Sequence, residues 1–247
     1  MKELNAELYK LLHKKGFYYG FLLTIIWSAL MIVVFKTSLE RTGIEYNAST
    51  WAQGFADMLS TYLVWILIVF AYIIVSTDYV EKTVSNLIIA GGNRIKIYLS
   101  KVFLFLTSAI LVVIISCTTI TLVSGIIFGW GDWNAEYTRK FIDIVLKLIV
   151  YVVQYVAYFS LLCSIFRNQA GCLISSFLTL MALSIVVQVL KMIFKNAEGI
   201  EEMAPCVAGN IIGSYGEQYV ARWIVLCVVS FIVVTLVGAF LARKREF

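Results

Sequence analysis

The sequence predicts an all-α integral membrane protein with six transmembrane helices. The 247 residues are 61% apolar and 15% aromatic with a single proline, and the mean hydropathy is +0.90, outside the range of ordinary soluble domains. The apolar residues come in continuous rather than alternating runs. In lipid only helices and closed barrels satisfy every backbone polar group, so continuous runs select helices. Six runs approach or exceed the ~20 residues that one crossing needs, at residues 17–35, 58–76, 102–128, 144–166, 171–190 and 223–242.

Charge sets the orientation. With the N-terminus inside, the inner side holds twelve of the twenty Lys and Arg, and the outer side holds ten of the fifteen acidic residues. The positive-inside rule therefore puts both termini, and the polar stretch 77–101, in the cytoplasm. The basic clusters read as topology and lipid-headgroup contacts rather than nucleic-acid binding, because none interleaves with aromatics on a soluble face.

Residues 1–16 place Leu4, Leu8, Leu11 and Leu12 on one helical face, with Lys2, Glu3, Glu7, Lys10 and Lys14 around the other. This is the pattern of an interfacial helix lying on the inner leaflet. No cleavage site of small residues precedes Lys36, so the first span is expected to be retained. Residues 36–57 form a polar outer loop, with Trp51 and Phe55 placed for the headgroup layer.

Between spans 2 and 3 lies the most structured polar stretch, 77–101. Val80, Val84, Leu87 and Ile88 form one helical stripe, Asp78 and Glu81 have the spacing of a capping box, and Gly91-Gly92-Asn93 stops the helix. Arg94 opens a second helical pattern, with Ile95, Tyr98, Leu99 and Val102 on one face, that runs unbroken into span 3. This reads as a helical elbow just outside the membrane, although the same periodicity fits a solvated connecting loop. The third run is longer than the hydrocarbon is thick, so it must tilt or protrude. Gly129-Trp130-Gly131 marks its outer end.

Span 4 carries Lys147, Tyr151, Gln154, Tyr155 and Tyr158 on one face. Polar side chains at membrane depth face partner helices or a water-filled path, and the spacing alone leaves both open. Lys147 is near enough to the end to snorkel. After a tight turn at residues 166–171, span 5 adds Met181, Ser184 and Gln188. Residues 196–218, broken by Pro205 and repeated glycines, suit a re-entrant or interfacial outer segment rather than a crossing. The last span ends in Arg243-Lys244-Arg245.

Little in the sequence suggests catalysis. Cys117, Cys163, Cys172, Cys206 and Cys227 form no CxxC pair and read as small apolar packing residues. His13 is the single histidine and has no companions at metal-ligand spacing. Gly91-Gly92-Asn93-Arg94-Ile95-Lys96 lacks the spacing and the preceding strand of a phosphate loop. Glu201-Glu202 is similar to the glutamate pair of CAAX-type intramembrane proteases, but the basic and histidine residues of that site are missing. No Ser/His arrangement fits a hydrolase. The chain is expected not to be an enzyme.

Taken whole, six spans, an amphipathic N-terminal helix, an elbow between spans 2 and 3 and a broken outer segment before span 6 resemble the permease subunit of ABC-2 type transporters. The most specific match is in the elbow: Glu81-Lys82-Thr83, Asn86-Leu87-Ile88, Gly91 and Arg94 to Lys101. Lys82 stands where many members have Gly, and Gly92-Asn93 where many have Pro. The resemblance implies a single ABC-2 type transmembrane domain over residues 1–247 whose elbow is a coupling helix docked on a separate ABC ATPase. ATP and Mg would be bound by that partner, with no cofactor in this chain. The residues it places at or beside the contact are Asp78, Tyr79, Glu81, Lys82, Thr83, Asn86 and Arg94.

It further implies a second permease copy or paralogue, a multi-pass location in a bacterial cell membrane, and export powered by the partner. The wording of residues 94–101 looks most like permeases of peptide export or lantibiotic immunity, which handle amphipathic or antimicrobial peptides. For such a substrate the candidate path is Tyr151, Gln154, Tyr155, Tyr158, Ser184 and Gln188. The competing reading is a membrane-anchored interaction or sensor subunit without transport of its own. A secondary transporter fits less well, since no inverted repeat or mid-membrane charge pair is present.

Overall fold

The computed structural model describes residues 2–39, 51–81, 83–89, 91–131, 135–166, 168–193 and 217–244. Helix α1 (Lys2–His13) is followed by α2 (Lys15–Leu39) and α3 (Trp51–Ala71). A π-helical turn (Tyr72–Ser76) leads into α4 (Thr77–Val80) and then α5 (Thr83–Ile89). The remaining helices are α6 (Arg94–Phe128), α7 (Ala135–Phe166), α8 (Gln169–Ile193) and α9 (Glu217–Lys244). No strand occurs among the described residues.

Helix α7 is the hub and packs on α3, α6, α8 and α9, while α2 packs mainly on α6. Its buried side is Leu148, Val152, Tyr155, Val156 and Phe159, which meets Leu63, Leu67 and Phe70 of α3 and Phe105, Val112 and Val113 of α6 in one apolar cluster. The outward faces are apolar as well. Leu22, Ile26 and Val33 of α2 and Val225, Val229 and Leu236 of α9 are all exposed, which in a protein of this hydropathy is surface made for lipid.

Five helical stretches are long and apolar enough to cross a membrane: Lys15–Val34, Leu59–Tyr79, Arg94–Phe128, Ala135–Phe166 and Val220–Arg243. The fifth predicted run falls on the 25-residue α8, of which Gln169–Ala182 is an apolar stretch among the described residues. The structure thus supports five of the six predicted spans as such. Helix α6 has 35 residues and is about 50 Å long at 1.5 Å per residue. It exceeds the ~30 Å hydrocarbon, which agrees with the expected tilt or protrusion. The predicted segment at 196–218 lies almost wholly outside the described residues.

Helix α1 and the last turns of α9 meet at one end of the bundle. Lys101 near the start of α6 bonds Glu7 of α1 and Asp78 of α4, and Gly238 near the end of α9 packs on Tyr98. Gly20 at the start of α2 lies against Phe70 near the end of α3. The start of α9 lies at the far end, beside the first turns of α7.

Two expectations need correcting. Glu7 is buried rather than solvated, because the side of α1 that carries it faces α6. Cys163 and Cys172 form a disulfide across the α7–α8 turn, whereas all five cysteines were read as packing residues. A separation of nine residues gives no sign of such a pair, and the helical hairpin supplies the proximity. Cys117 and Cys227 are free and buried, and Cys206 lies outside the described residues.

Small residues set the closest helix approaches. A Cβ at Gly238 would come within 3.0 Å of Tyr98 Cε1 and closer still to its hydroxyl, whereas a Cβ at Gly16 meets nothing within 4 Å. Gly238→Ala should therefore cost about 1–3 kcal/mol by overpacking. It should lower the melting temperature of the detergent-purified protein, while Gly16→Ala leaves it unchanged or raised.

Candidate functional site: the elbow and its buried ion cluster

The elbow is built by local chemistry at both of its breaks. Helix α4 stops at Glu81, whose ψ of 2° is not helical. Helix α5 ends in a Schellman turn: the Gly91 N–H donates to Ile88 O (3.0 Å) and the Gly92 N–H to Leu87 O (2.9 Å). Both glycines are required. Gly91 has a φ of +88°, and a Cβ at Gly92 would lie 2.8 Å from Leu87 O. Asn93 then caps α6, its side chain accepting from the Ile95 N–H at 3.0 Å. From there α6 runs without interruption into the bundle.

Asp78 does not cap the elbow helix. It sits inside a continuous path from α3 through the π turn, and its carboxylate is spent on lysines. Lys14 Nζ donates to Asp78 Oδ1 at 2.7 Å and to Thr77 Oγ1 at 2.8 Å. Lys10 Nζ lies 3.1 Å from the same Oδ1. Lys101 Nζ donates to Asp78 Oδ2 and, at 3.1 Å, to Glu7 Oε2. The Lys101 side chain is 1% exposed, and those of Asp78 and Glu7 are 3% and 4% exposed. One ammonium thus holds two carboxylates from two other helices.

The predicted ATPase-contact residues therefore separate. Asp78 is buried and closed in by its lysines, so the surface of the elbow does not present it. Tyr79 is half-buried, Glu81 is exposed, and Arg94 is half-buried at the start of α6. Lys82 lies outside the described residues, as do the side chains of Thr83 and Asn86. The elbow also presents Asn93 and Lys96 to the surface, with Ile89 84% exposed at its tip.

Sequence reasoning missed Ile89, Lys101 and the α1 charges Glu7, Lys10 and Lys14. A signal for Lys101 did exist. A cation one position before the third apolar run must find a carboxylate on burial, and Asp78 stands at the facing end of span 2.

The predicted path residues also divide. Tyr151, Gln154 and Tyr155 are buried, and Tyr158 is half-buried. Gln154 turns to α9, donating to Ser230 Oγ at 3.0 Å and accepting from the Cys227 thiol at 3.5 Å. Tyr151 and Tyr155 face the other way, their hydroxyls 3.4 Å apart. They line a cavity of about 150 Å³ between α3, α7 and α8, with Thr61, Trp65 and Met181 on its walls. The side chains of Ser184 and Gln188 lie outside the described residues. Lys147 pairs with Asp143 at 2.6 Å, one turn nearer the helix start, in an open charged groove between α7 and the start of α9.

A family model described as ABC-2 family transporter protein matches residues 4–183. The chain belongs to the ABC-2 transporter family. The match runs from α1 into α8 and takes in the ion cluster, the elbow and the tyrosine cavity. Comparison with curated proteins returned no match. Family membership makes this ABC-2 protein a multi-pass membrane permease of an ABC exporter, a transport component that is not itself catalytic, in a class that associates with an ABC ATPase.

Removing one partner of a buried charge cluster strands the others, at a cost of about 3–5 kcal/mol. Lys101→Met should therefore sharply lower the melting temperature in detergent. Lys140 pairs at 2.7 Å with Glu136 in the open, and Lys140→Gln should leave the melting temperature unchanged.

Proposed function

We propose that this ABC-2 permease carries amphipathic or antimicrobial peptides outward, using ATP hydrolysed by a separate cytoplasmic ATPase that docks on the elbow. The observation that carries the reading is the elbow's construction: a stiff turn, fixed by two required glycines and an asparagine cap, continuous with a membrane helix. A push on α5 reaches α6 through the hydrogen-bonded turn at Gly91 and Gly92 and the Asn93 cap. The exposed Glu81, Asn93, Lys96 and Ile89 supply both charge and an apolar prong for a partner's cleft.

The gathering of α1, the elbow and the end of α9 at one end of the bundle is consistent with a cytoplasmic face for both termini. The alternating direction of the helices suits six crossings, with α8 as the fifth. A second copy or a paralogue would complete the translocation path, and ATP with Mg would be held by the ATPase. Peptide as substrate is supported by the weakly polar, aromatic lining of the cavity beside Tyr151 and Tyr155.

Charge reversal at two points of the elbow, Glu81→Lys with Arg94→Glu, should reduce copurification of the ATPase severalfold while membrane insertion stays normal. Undiminished copurification would remove the elbow from the contact. Tyr155→Trp, which narrows the 150 Å³ cavity, should blunt stimulation of ATP hydrolysis by amphipathic peptides and leave ATPase copurification intact. An ATPase that copurifies with the wild-type chain but never responds to peptide would favour the anchored interaction subunit instead.

A further inference from the structure

At the end of the bundle away from the elbow, α7 and α9 part to leave an open groove of about 560 Å³, lined by five charged residues of α7 and by Val220, Ala221 and Ile224 of α9. Deeper in, the two helices are joined where Gln154 bonds Ser230 and Cys227. Glu136, Lys140, Asp143 and Lys147 recur at i, i+4, i+7 and i+11, so one stripe of α7 bears these charges while the facing wall is apolar.

The depth of the groove follows from the length of α7. From Lys147 to its last residue, Phe166, the helix covers about 28 Å at 1.5 Å per residue, close to the ~30 Å of a hydrocarbon core. With Phe166 at one boundary, Lys147 is at the other, and the rest of the stripe stands in the headgroup layer. By the positive-inside reading this is the outer leaflet. Beside the groove, Ile142 and Leu146 of α7 and Val225 and Val228 of α9 are exposed, a surface suited to acyl chains.

Arg139, Lys140 and Lys147 face only Glu136 and Asp143 in the lining, which leaves one positive charge in excess. Lys140 is engaged twice, by Glu136 at 2.7 Å and over the Tyr137 ring at 5.8 Å. Lys147 has the exposed carboxylate of Asp143, in a type of pair that contributes little in water. Arg139 is exposed and in no ion pair among the described residues. A phosphate diester can therefore recruit Lys147 and Arg139 at small cost, with charge-assisted hydrogen bonds to its oxygens. Glu136 and Asp143 are then placed to accept from hydroxyls on the same headgroup.

We propose that this groove binds an anionic phospholipid with a hydroxylated headgroup, its phosphate held by Lys147 and Arg139 and its chains lying along the exposed faces of α7 and α9. The site is independent of the elbow and of the substrate.

The test uses the full chain purified in mild detergent. Native mass spectrometry counts the phospholipid that stays bound, and the melting temperature is followed with added phosphatidylglycerol, phosphatidylcholine or glycerophosphoglycerol, the headgroup without chains. Phosphatidylglycerol should be retained and should raise the melting temperature, and the other two should do neither. Arg139→Gln with Lys147→Gln should reduce retention severalfold. Arg222→Gln, which removes the same charge from an exposed position of α9 outside the groove lining, should keep it. Ala221→Trp obstructs the groove with every charge in place and should also lose the lipid, so the test stays decisive if the double variant misfolds.

Phosphatidylcholine held as firmly as phosphatidylglycerol overturns the proposal, as does full retention in Ala221→Trp or an equal loss in Arg222→Gln. A rise with glycerophosphoglycerol as large as that with the lipid overturns it too, in favour of a site for free phosphate esters.

Discussion

The rest of the architecture depends on one buried ammonium. Lys101 lies at the start of a long membrane helix, where water is scarce and an unpaired cation is costly. It is stabilised because Asp78 and Glu7 converge on it. That convergence has geometric consequences: α4 must end near the root of α6, and α1 must lie with its acidic side turned inward. The elbow then has one position it can occupy. The glycine turn and the asparagine cap shape it, and the ion cluster anchors it.

The bilayer imposes the second constraint. Because lipid is as apolar as a protein core, burial alone does not hold these helices together, and close approach and polar contacts do the work. Both kinds are present. Gly20 admits Phe70 and Gly238 admits Tyr98, while Gln154 bonds across to Ser230 and Cys227 and Tyr62 bonds Ser28 and Thr24 O. Helix α7, with contacts on four sides, has its two polar functions divided by rotation about its axis. Gln154 binds α9, and the neighbouring tyrosines open a cavity toward α3 and α8.

Features governed by neighbours in sequence were legible. Gly91-Gly92-Asn93 announced a helix stop and a new start because a Schellman turn needs those residue types within a few positions. The overhang of span 3 followed from a simple count of residues. Asp78 was misread for the complementary reason. Its spacing to Glu81 fits a capping box, and nothing local reveals that three lysines, two of them more than sixty residues earlier, claim the carboxylate first. Glu7 was assigned to the solvated face of α1 because an amphipathic pattern records polarity but not which polar groups are paired. The Tyr151–Tyr158 stripe was rightly seen as inward-facing, but its four residues face more than one neighbour. The Cys163–Cys172 pair depends on the α7–α8 hairpin, which no cysteine spacing encodes.

The separation of Glu7 from Lys101 also matters while the chain is being made. At roughly 5–20 residues per second, synthesis needs about 5–20 seconds to cover the 94 residues between them. Throughout that interval the acidic side of α1 has no buried partner and must stay in the wet headgroup layer, where Lys10 is its nearest counter-charge within α1. Helix α1 is therefore made well before its buried partner and can dock on α6 only once the root of that helix has been made.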